Sequence, residues 1–446
     1  MKIVIAGAGE VGTHLSRQLS YEEQDITLLD RDASKLRAID ATCNLMTVQG
    51  SPVSFDSLRE ARVENCDLFI AVTPFETDNV IACEMAKSLG ARRTVARIDN
   101  YEFMDARNVE FFTRMGVNTM IYPEYLAALE IKTALERNWV RHWFELHDGE
   151  IIVVGIKLRD NAKIAGMQLK EFAQREHYFH VSAIRRRHQI IIPRGEDRLM
   201  PNDILYFTTT REHVAELCDI CGKHQQRIQK VLIMGGSRIA VRLVNMLSGG
   251  SRYKFKIIEQ DHKRCIKLAE RCPEAEIVHG DGRDIEVLRD EGIEDIDAFI
   301  ALTGSSETNI LSCLTAKETG VKKTVAEVED IQFIPEAENL NIGTIINKKL
   351  LASSRIFQIL LDSDTHDSRC LALADAEVAE IEVKPRSKIT KAPVRELSLS
   401  HDMTIGGLIR DGRGMLVSGS TLIMPGDHVV VFCLQGALHK VEKLFT

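Results

Sequence analysis

At 446 residues the chain is long enough for about three ordinary domains and a sizeable buried core. Its net charge of −8 argues against a nucleic-acid binder, whose electrostatic footprint would be basic. No apolar run approaches the roughly 18 to 20 residues that would span a bilayer, and the charged and apolar fractions are those of a soluble globular protein.

The most specific signal comes first. Lys2 to Asp30, KIVIAGAGEVGTHLSRQLSYEEQDITLLD, reads as strand, glycine turn, helix and strand, ending on an acid. A strand beginning at Lys2, with glycines where a cleavage region would stand, does not resemble a signal peptide. A cytoplasmic protein is expected, with any membrane role peripheral. Gly7, Gly9 and Gly12 make an intact GxGxxG directly after the apolar run Ile3 to Ala6, the required context for a dinucleotide fingerprint. Gly7 permits the tight turn, Gly9 lacks the Cβ that would block a pyrophosphate, and Gly12 lets the helix pack close to the sheet. Phosphates would sit on unpaired N–H groups at the positive end of the helix. Asp30 stands where a carboxylate accepts the ribose hydroxyls, roughly 20 residues on, and would repel a 2′-phosphate, so NAD is favoured over NADP.

Helix and strand patterns keep alternating after Asp30. Ala33 to Asp40, Phe55 to Ala61 and Thr77 to Leu89 read as helices; Leu45 to Val48, Leu68 to Val72 and Thr94 to Ile98 read as strands. Such alternation predicts a parallel, doubly wound sheet covered on both faces. Pro123 then leads a longer helix, Glu124 to Arg137, whose stripe Ala128, Ile131 and Leu135 can dock on its own sheet, on a neighbouring domain or on another subunit.

From Trp139 the texture changes. Ile151 to Leu158, Val181 to Arg185, Gln189 to Ile192 and Ile204 to Phe207 look like short strands, followed by a helix from Val214 to Cys218. This predicts a small α+β module. The basic run Arg185-Arg186-Arg187-His188 falls where a hairpin would turn and reads best as a solvated loop.

The chain then repeats itself. KVLIMGGSRIA from Lys230 answers KIVIAGAGEVG from Lys2, and IIEQD at Ile257 to Asp261 answers LLDRD at Leu28 to Asp32, placing Glu259 opposite Asp30. DAFIALT at Asp297 to Thr303 answers DLFIAVT at Asp67 to Thr73, and TVAEVED at Thr324 to Asp330 answers TVARIDN at Thr94 to Asn100. MPGDHVVVF at Met424 to Phe432 answers MPNDILYF at Met200 to Phe207. The fold class is therefore α/β: a tandem duplication of about 225 residues per copy, each a Rossmann domain plus a small α+β module. The expected boundaries are 1–138, 139–225, 226–366 and 367–446.

The copies are not equivalent. In the second, the middle glycine is Ser237 and the last is Ala240, so a side chain stands where a backbone must approach pyrophosphate. Arg97 is answered by Glu327, a repulsive charge in place of a phosphate partner. Glu259 can still hold a ribose, and any ligand there is expected to be less highly phosphorylated.

Nothing around the fingerprint supplies chemistry. A dehydrogenase needs a proton-transfer residue within reach of the nicotinamide. His14 sits in the first helix at what reads as a solvated position, and Asp281 and Asp284 read as a strand-end turn and a helix cap. His177, His180 and His188 lie at no metal spacing, and no GxSxG, HExxH or P-loop occurs. Of the ten cysteines, several lie on apolar stretches (Cys43, Cys83, Cys313, Cys433) as small hydrophobes. Cys218 and Cys221 form a CxxC followed by His224, but no second pair completes a zinc site. No residue is assigned a catalytic or metal-binding role. Three readings follow: a nucleotide-binding regulator, an NAD-dependent oxidoreductase with a duplicated Rossmann domain, and an assembly scaffold carrying a relic fingerprint.

KIVIAGAGEVG, the acid at Asp30, VQGS at Val48 to Ser51, DLFIAVT, ETDN at Glu76 to Asn79 and ARID at Ala96 to Asp99 together resemble the TrkA family, the cytosolic regulatory subunits of bacterial Trk potassium-uptake systems. The small modules resemble the C-terminal subdomain that follows the Rossmann part of RCK, or KTN, domains. The resemblance covers the full length, and it implies a gating ring. Subunits would assemble as a homotetramer, dock on a TrkH- or TrkG-type potassium-translocating membrane protein from the cytoplasmic side, and alter its conductance when NAD(H), ATP or ADP binds. Carried onto this chain, the cofactor-binding residues would be Gly7, Ala8, Gly9, Glu10, Val11, Gly12, Asp30, Arg31, Gly50, Ser51, Thr73, Asn79 and Arg97, with Glu259 in the second copy. The helix Glu124 to Arg137 would serve domain pairing.

Overall fold

The computed structural model describes residues 1–446 except 21–23, 188, 251, 365–367, 374–375, 398, 435–436, 438–440, 442–443 and 446; for 361–364 and 368–373 it describes the backbone only. His188 of the basic run thus lies outside the described residues.

Strands β1 (Lys2–Ala6), β2 (Asp25–Asp30), β3 (Met46–Gln49), β4 (Leu68–Ala71), β5 (Arg93–Arg97) and β6 (Thr119–Ile121) form one sheet in the order β3-β2-β1-β4-β5-β6. Every pairing is parallel. Parallel strands need helical crossovers on both faces, and so β1 and β4 are almost wholly buried, each a near-continuous apolar run. The order reverses between β1 and β4, which opens a crevice at their carboxyl ends. Strand β6 and the helix Ala106–Arg114 before it were not expected. The strand is three residues long, too short for a periodic signal.

The first module contains β7 (His142–Leu146), β8 (Ile151–Lys157), β9 (His180–Arg186), β10 (Gln189–Ile191) and β11 (Ile204–Thr209), ordered β10-β9-β11-β8-β7 and antiparallel. Its basic run departs from the solvated loop expected. Arg186 grips the buried Asp203 with two hydrogen bonds of 2.9 and 2.8 Å, pinning the end of β9 to the turn before β11. Arg410 and Asp427 repeat the pair in the second copy at 2.8 and 2.7 Å.

The duplication holds in three dimensions. Strands β12 (Lys230–Met234), β13 (Lys254–Glu259), β14 (Ala275–His279), β15 (Ala298–Ala301), β16 (Lys323–Glu327) and β17 (Thr344–Ile346) form the second parallel sheet, ordered β14-β13-β12-β15-β16-β17. The second module follows with β18 (Ser368–Leu373), β19 (Ala376–Glu382), β20 (Met403–Arg410), β21 (Arg413–Leu416) and β22 (His428–Leu434), ordered β18-β19-β22-β20-β21. Among the described residues no helix is long and apolar enough to cross a membrane.

The chain divides into two compact units, Met1–Lys132 with Gln229–Leu360, and Thr133–Ile228 with Leu361–Thr446. In the second unit the two modules share an apolar core, where Val153, Ala183 and Tyr206 meet Val378, Val430 and Phe432. In the first unit the two Rossmann domains pair through their connecting helices. From Lys348–Asp364, Ser353 Oγ donates to the Val11 carbonyl at 3.3 Å and Lys349 Nζ donates to Glu10 at 2.6 Å. From Pro123–Glu136, Ala128 and Ile131 are fully buried, and Glu130 lies within electrostatic range of Lys323 on β16. Burial, opposed by Lys323, leaves the Glu130 carboxyl above its ordinary range.

This pairing exchanges charge across its approximate two-fold. Glu10 of the first copy corresponds to Arg238 of the second, and Lys349 of the second corresponds to Glu124 of the first. Arg238 donates to the Asp99 carbonyl at 3.3 Å, while Arg242 lies 3.4 Å over the Tyr101 ring. Two first domains facing each other would oppose Glu10 to Glu124, and two second domains would oppose Arg238 to Lys349. Like charges disfavour both, whereas the unlike pair sets Glu10 against Lys349. Because Glu10 is largely exposed, the bridge itself contributes on the order of 0.5–1 kcal/mol. Glu10→Lys, which would set two like charges against each other, should therefore lower the melting temperature by about 2 °C or more and Glu10→Gln by less; equal melting temperatures for wild type and both variants in calorimetry would reject the charge exchange as a pairing determinant.

Candidate functional site

The crevice at the end of β1 is built by the glycine turn. Gly7 has φ +116°, a conformation open to glycine, and its N–H donates to Leu29 at 2.8 Å. A Cβ at Gly12 would collide with the Gly7 carbonyl oxygen, so Gly12 is there for packing. Gly9 is different: a Cβ there would meet nothing within 4 Å. No protein atom demands a glycine at this position, and the space in front of it is open. The first N–H groups of the helix Glu10–Ser20 have no carbonyl within the helix to receive them, and this is where a phosphate would lie.

Asp30 pins the turn. Its Oδ2 accepts from Ala8 N–H at 2.6 Å and its Oδ1 from Asp32 N–H at 2.8 Å. Glu259 does the same in the second copy, accepting from Gly236 and Asp261 at 2.9 Å each. The strand-end acid therefore has a structural task in both copies, beside any contact with a ribose.

The other expected residues fall at the same strand ends with separate roles. Arg31 donates to Ser51 at 3.0 Å and pairs with Asp78 at 3.2 Å, bridging β2, β3 and the helix Glu76–Leu89. Gly50 donates to the Asp30 carbonyl at 2.9 Å. Asn79 is buried, and its amide is occupied: Oδ1 accepts from Thr73 N–H and Oγ at 2.9 and 2.7 Å, while Nδ2 donates to the carbonyls of Thr73 and Arg97. It ties β4 to β5. Asn309 repeats the arrangement with Thr303 and Glu327. Arg97 donates through Nη2 to Asp99 at 3.1 Å, and its Nε is buried without a partner. Glu10 and Val11 also join the pairing described above. His14, expected at a solvated position, is half-buried, and burial followed by the charge of Arg17 lowers its pKa.

The second copy holds a well-formed cleft of about 420 Å³, lined by Gly235–Ser237, Glu259, Asp281, Thr303–Ser305, Glu327 and Lys348 among others. Ser237 caps the helix that follows, accepting from Ala240 N–H at 3.3 Å. A helix donor left open in the first copy is thereby already satisfied here. Three residues absent from the sequence-level expectation complete the contrast. Lys348, where the first copy has Pro123, pairs with Glu327 at 3.1 Å and with Glu329. Burial raises the Glu327 carboxyl above its ordinary range, against the pull of Lys348. Burial also pushes Glu329 upward, but bonding and charge from Lys348, then Lys349 and Arg97, outweigh it and leave Glu329 below its ordinary range. Lys349 stands 3.8 Å from Glu329 and 2.6 Å from Glu10. A ladder of alternating charges, Glu10, Lys349, Glu329, Lys348, Glu327, thus runs from the first turn to the second cleft. The available signal was the Lys348-Lys349 doublet one residue past β17.

Among the cysteines, burial pushes the thiols of Cys66, Cys221 and Cys313 up to about 12, which leaves them protonated and inert.

A doubly wound parallel sheet with this turn at its switch point defines a protein of the Rossmann type, here with the sheet in duplicate. The TrkA-N domain family matches residues 3–123 and 231–348, and the TrkA-C domain family matches 153–222 and 378–446. The chain belongs to the TrkA family, in agreement with the resemblance carried by its motifs. It is 30% identical over its whole length to the Trk system potassium uptake protein TrkA of Haemophilus influenzae, covering 98% of that protein. It is 28% identical to TrkA homolog 2 of Methanosarcina mazei, covering all of both chains. These relatives carry the names of potassium uptake proteins and not of enzymes. A solved GsuK channel bound to NAD shares the fold, at 15% identity and a TM-score of 0.61 over 100% of this chain and 78% of that one.

The two glycines are separable by experiment. Gly12→Ser should lower the melting temperature by several degrees, since overpacking against backbone costs about 1–3 kcal/mol, whereas Gly9→Ser should leave it unchanged. Equal destabilisation in thermal unfolding would contradict the open space in front of Gly9.

Proposed function

We propose that the protein is a nucleotide-sensing regulatory subunit of a potassium uptake system, binding NAD(H) in the first Rossmann domain and controlling ion flux through a TrkH- or TrkG-type membrane partner. The observation that carries the reading is the contrast between Gly9 and Ser237: one helix N-terminus is open and fronted by free space, and its duplicate is capped by its own side chain. A pyrophosphate would lie on the first turn, with the partly exposed guanidinium of Arg97 as a further donor. Gly7, Ala8, Gly9 and Asp30 would surround the phosphates and ribose. Arg31, Gly50, Ser51, Thr73 and Asn79 would shape the walls. ATP and ADP compete for the same turn in this reading. The GsuK channel structure bound to NAD supports a dinucleotide on this fold.

The second cleft takes a less phosphorylated ligand. Its bases are largely committed, Arg283 to Asp281 and Lys348 to two glutamates, and Glu259 adds another negative charge. The subunits form a homotetrameric ring on the cytoplasmic face of the membrane partner. A ligand moves such a ring only through its difference in affinity between two arrangements, typically about 1–3 kcal/mol. Glu10 provides that difference: phosphate on the turn repels it, and its partner Lys349 belongs to the other domain.

The test uses the full chain co-purified with its membrane partner and reconstituted in liposomes. NADH should bind the wild type in calorimetry and change potassium flux. Gly9→Ser and Arg97→Ala should each weaken NADH by about tenfold or more, as loss of a charge-assisted contact implies, and remove the flux response with the fold intact. Unchanged NADH affinity in both variants would sink the site, and flux indifferent to the bound protein would sink the regulatory role.

A further inference from the structure

We propose that His147, Glu380 and His428 form a site for a borderline-soft divalent cation of the zinc type, seated between the two small modules of one chain. His147 follows β7 of the first module, while Glu380 and His428 lie on β19 and β22 of the second. Their ligand atoms all lie within 4.8 Å of one another. His147 Nδ1 is 2.9 Å and His428 Nδ1 3.2 Å from the same oxygen, Glu380 Oε1. Ligands of a tetrahedral zinc stand roughly 3.4 Å apart when the bonds are about 2.1 Å. A small outward movement of both rings would admit the ion.

Hydrogen bonding alone leaves this cluster incomplete. Glu380 is 3% exposed, and its second oxygen is buried with no partner. Both imidazoles crowd one oxygen while the other receives nothing, an arrangement costly for a buried carboxylate. A cation bound by the carboxylate and both Nδ1 atoms would neutralise that buried charge. Two nitrogens and one carboxylate suit zinc and its neighbours better than calcium or magnesium, which take oxygen ligands. The histidines are half-buried, which leaves room for water as the fourth ligand.

The placement assigns a role. His147 (φ +47°) and Asp148 (φ +55°) adopt left-handed backbone in the β7–β8 turn, which carries His147 to the second module. By strand register, Gly155 and Ile204 occupy the places of Glu380 and His428 in the first module, so the duplication has not duplicated these ligands. A bound ion would staple the β7–β8 turn to the β19–β22 strand pair beside the shared apolar core.

The full chain, stripped with a chelator, is titrated with Co²⁺ and then Zn²⁺. One equivalent of Co²⁺ should give visible absorption bands of a low-coordinate site, Zn²⁺ should displace them, and Zn²⁺ should raise the melting temperature. His147→Ala combined with His428→Ala should weaken Zn²⁺ by about a hundredfold or more and abolish the thermal shift. His147→Ala alone, at a surface turn, should keep the fold and lose most of the affinity. Absence of cobalt bands, or Zn²⁺ affinity unchanged in either variant, would overturn the proposal.

Discussion

Opposite charges at equivalent positions decide how this duplicated chain is organised. Two copies of one domain could pair with themselves or with each other, since their folds are the same. Glu10 against Lys349, with Arg238 and Glu124 at the exchanged positions, favours the unlike pair. Apolar burial on the connecting helices supplies most of the adhesion and is indifferent to which copy lies opposite. The charges, each modest in energy, supply the choice. Once the unlike copies are paired, Glu329 of one domain comes within electrostatic range of Arg97 of the other. The candidate nucleotide turn and the second cleft then share one network of charges.

Much of this was legible in the sequence, because the signals are local. The fingerprint Gly7-Gly9-Gly12 and the strand-end acid lie in one continuous stretch, and parallel strands advertise themselves as apolar runs. The internal repeat identified both sheets, since DLFIAVT and DAFIALT form β4 and β15 with nearly the same ends. What escaped detection was short or distant. Strand β6 has too few residues for a pattern, and His147 and Glu380 are 233 residues apart. No spacing rule joins them; only the packing of two modules does. Asn79 illustrates a subtler limit. Its position at the strand ends was legible, but nothing in the sequence tells an amide that faces a ligand from one committed to tying β4 to β5.

The second cleft shows why divergence between the copies is not decay. Replacing Arg97 by its counterpart Glu327 puts a carboxylate at a nearly buried strand end, and an unpaired charge there costs about 3–5 kcal/mol. Drift alone would leave that cost in place. Instead Lys348 stands where the first copy has Pro123, and it pairs with both Glu327 and Glu329. The two changes are favourable only together, because Lys348 beside an arginine at position 327 would be repelled. Ser237 follows the same logic: losing the glycine that admits a pyrophosphate coincides with gaining a cap for the helix N–H left open. A relic would retain open donors with nothing to bind. This copy has satisfied one of those donors with Ser237, kept its strand-end acid on the turn, and kept a formed cleft.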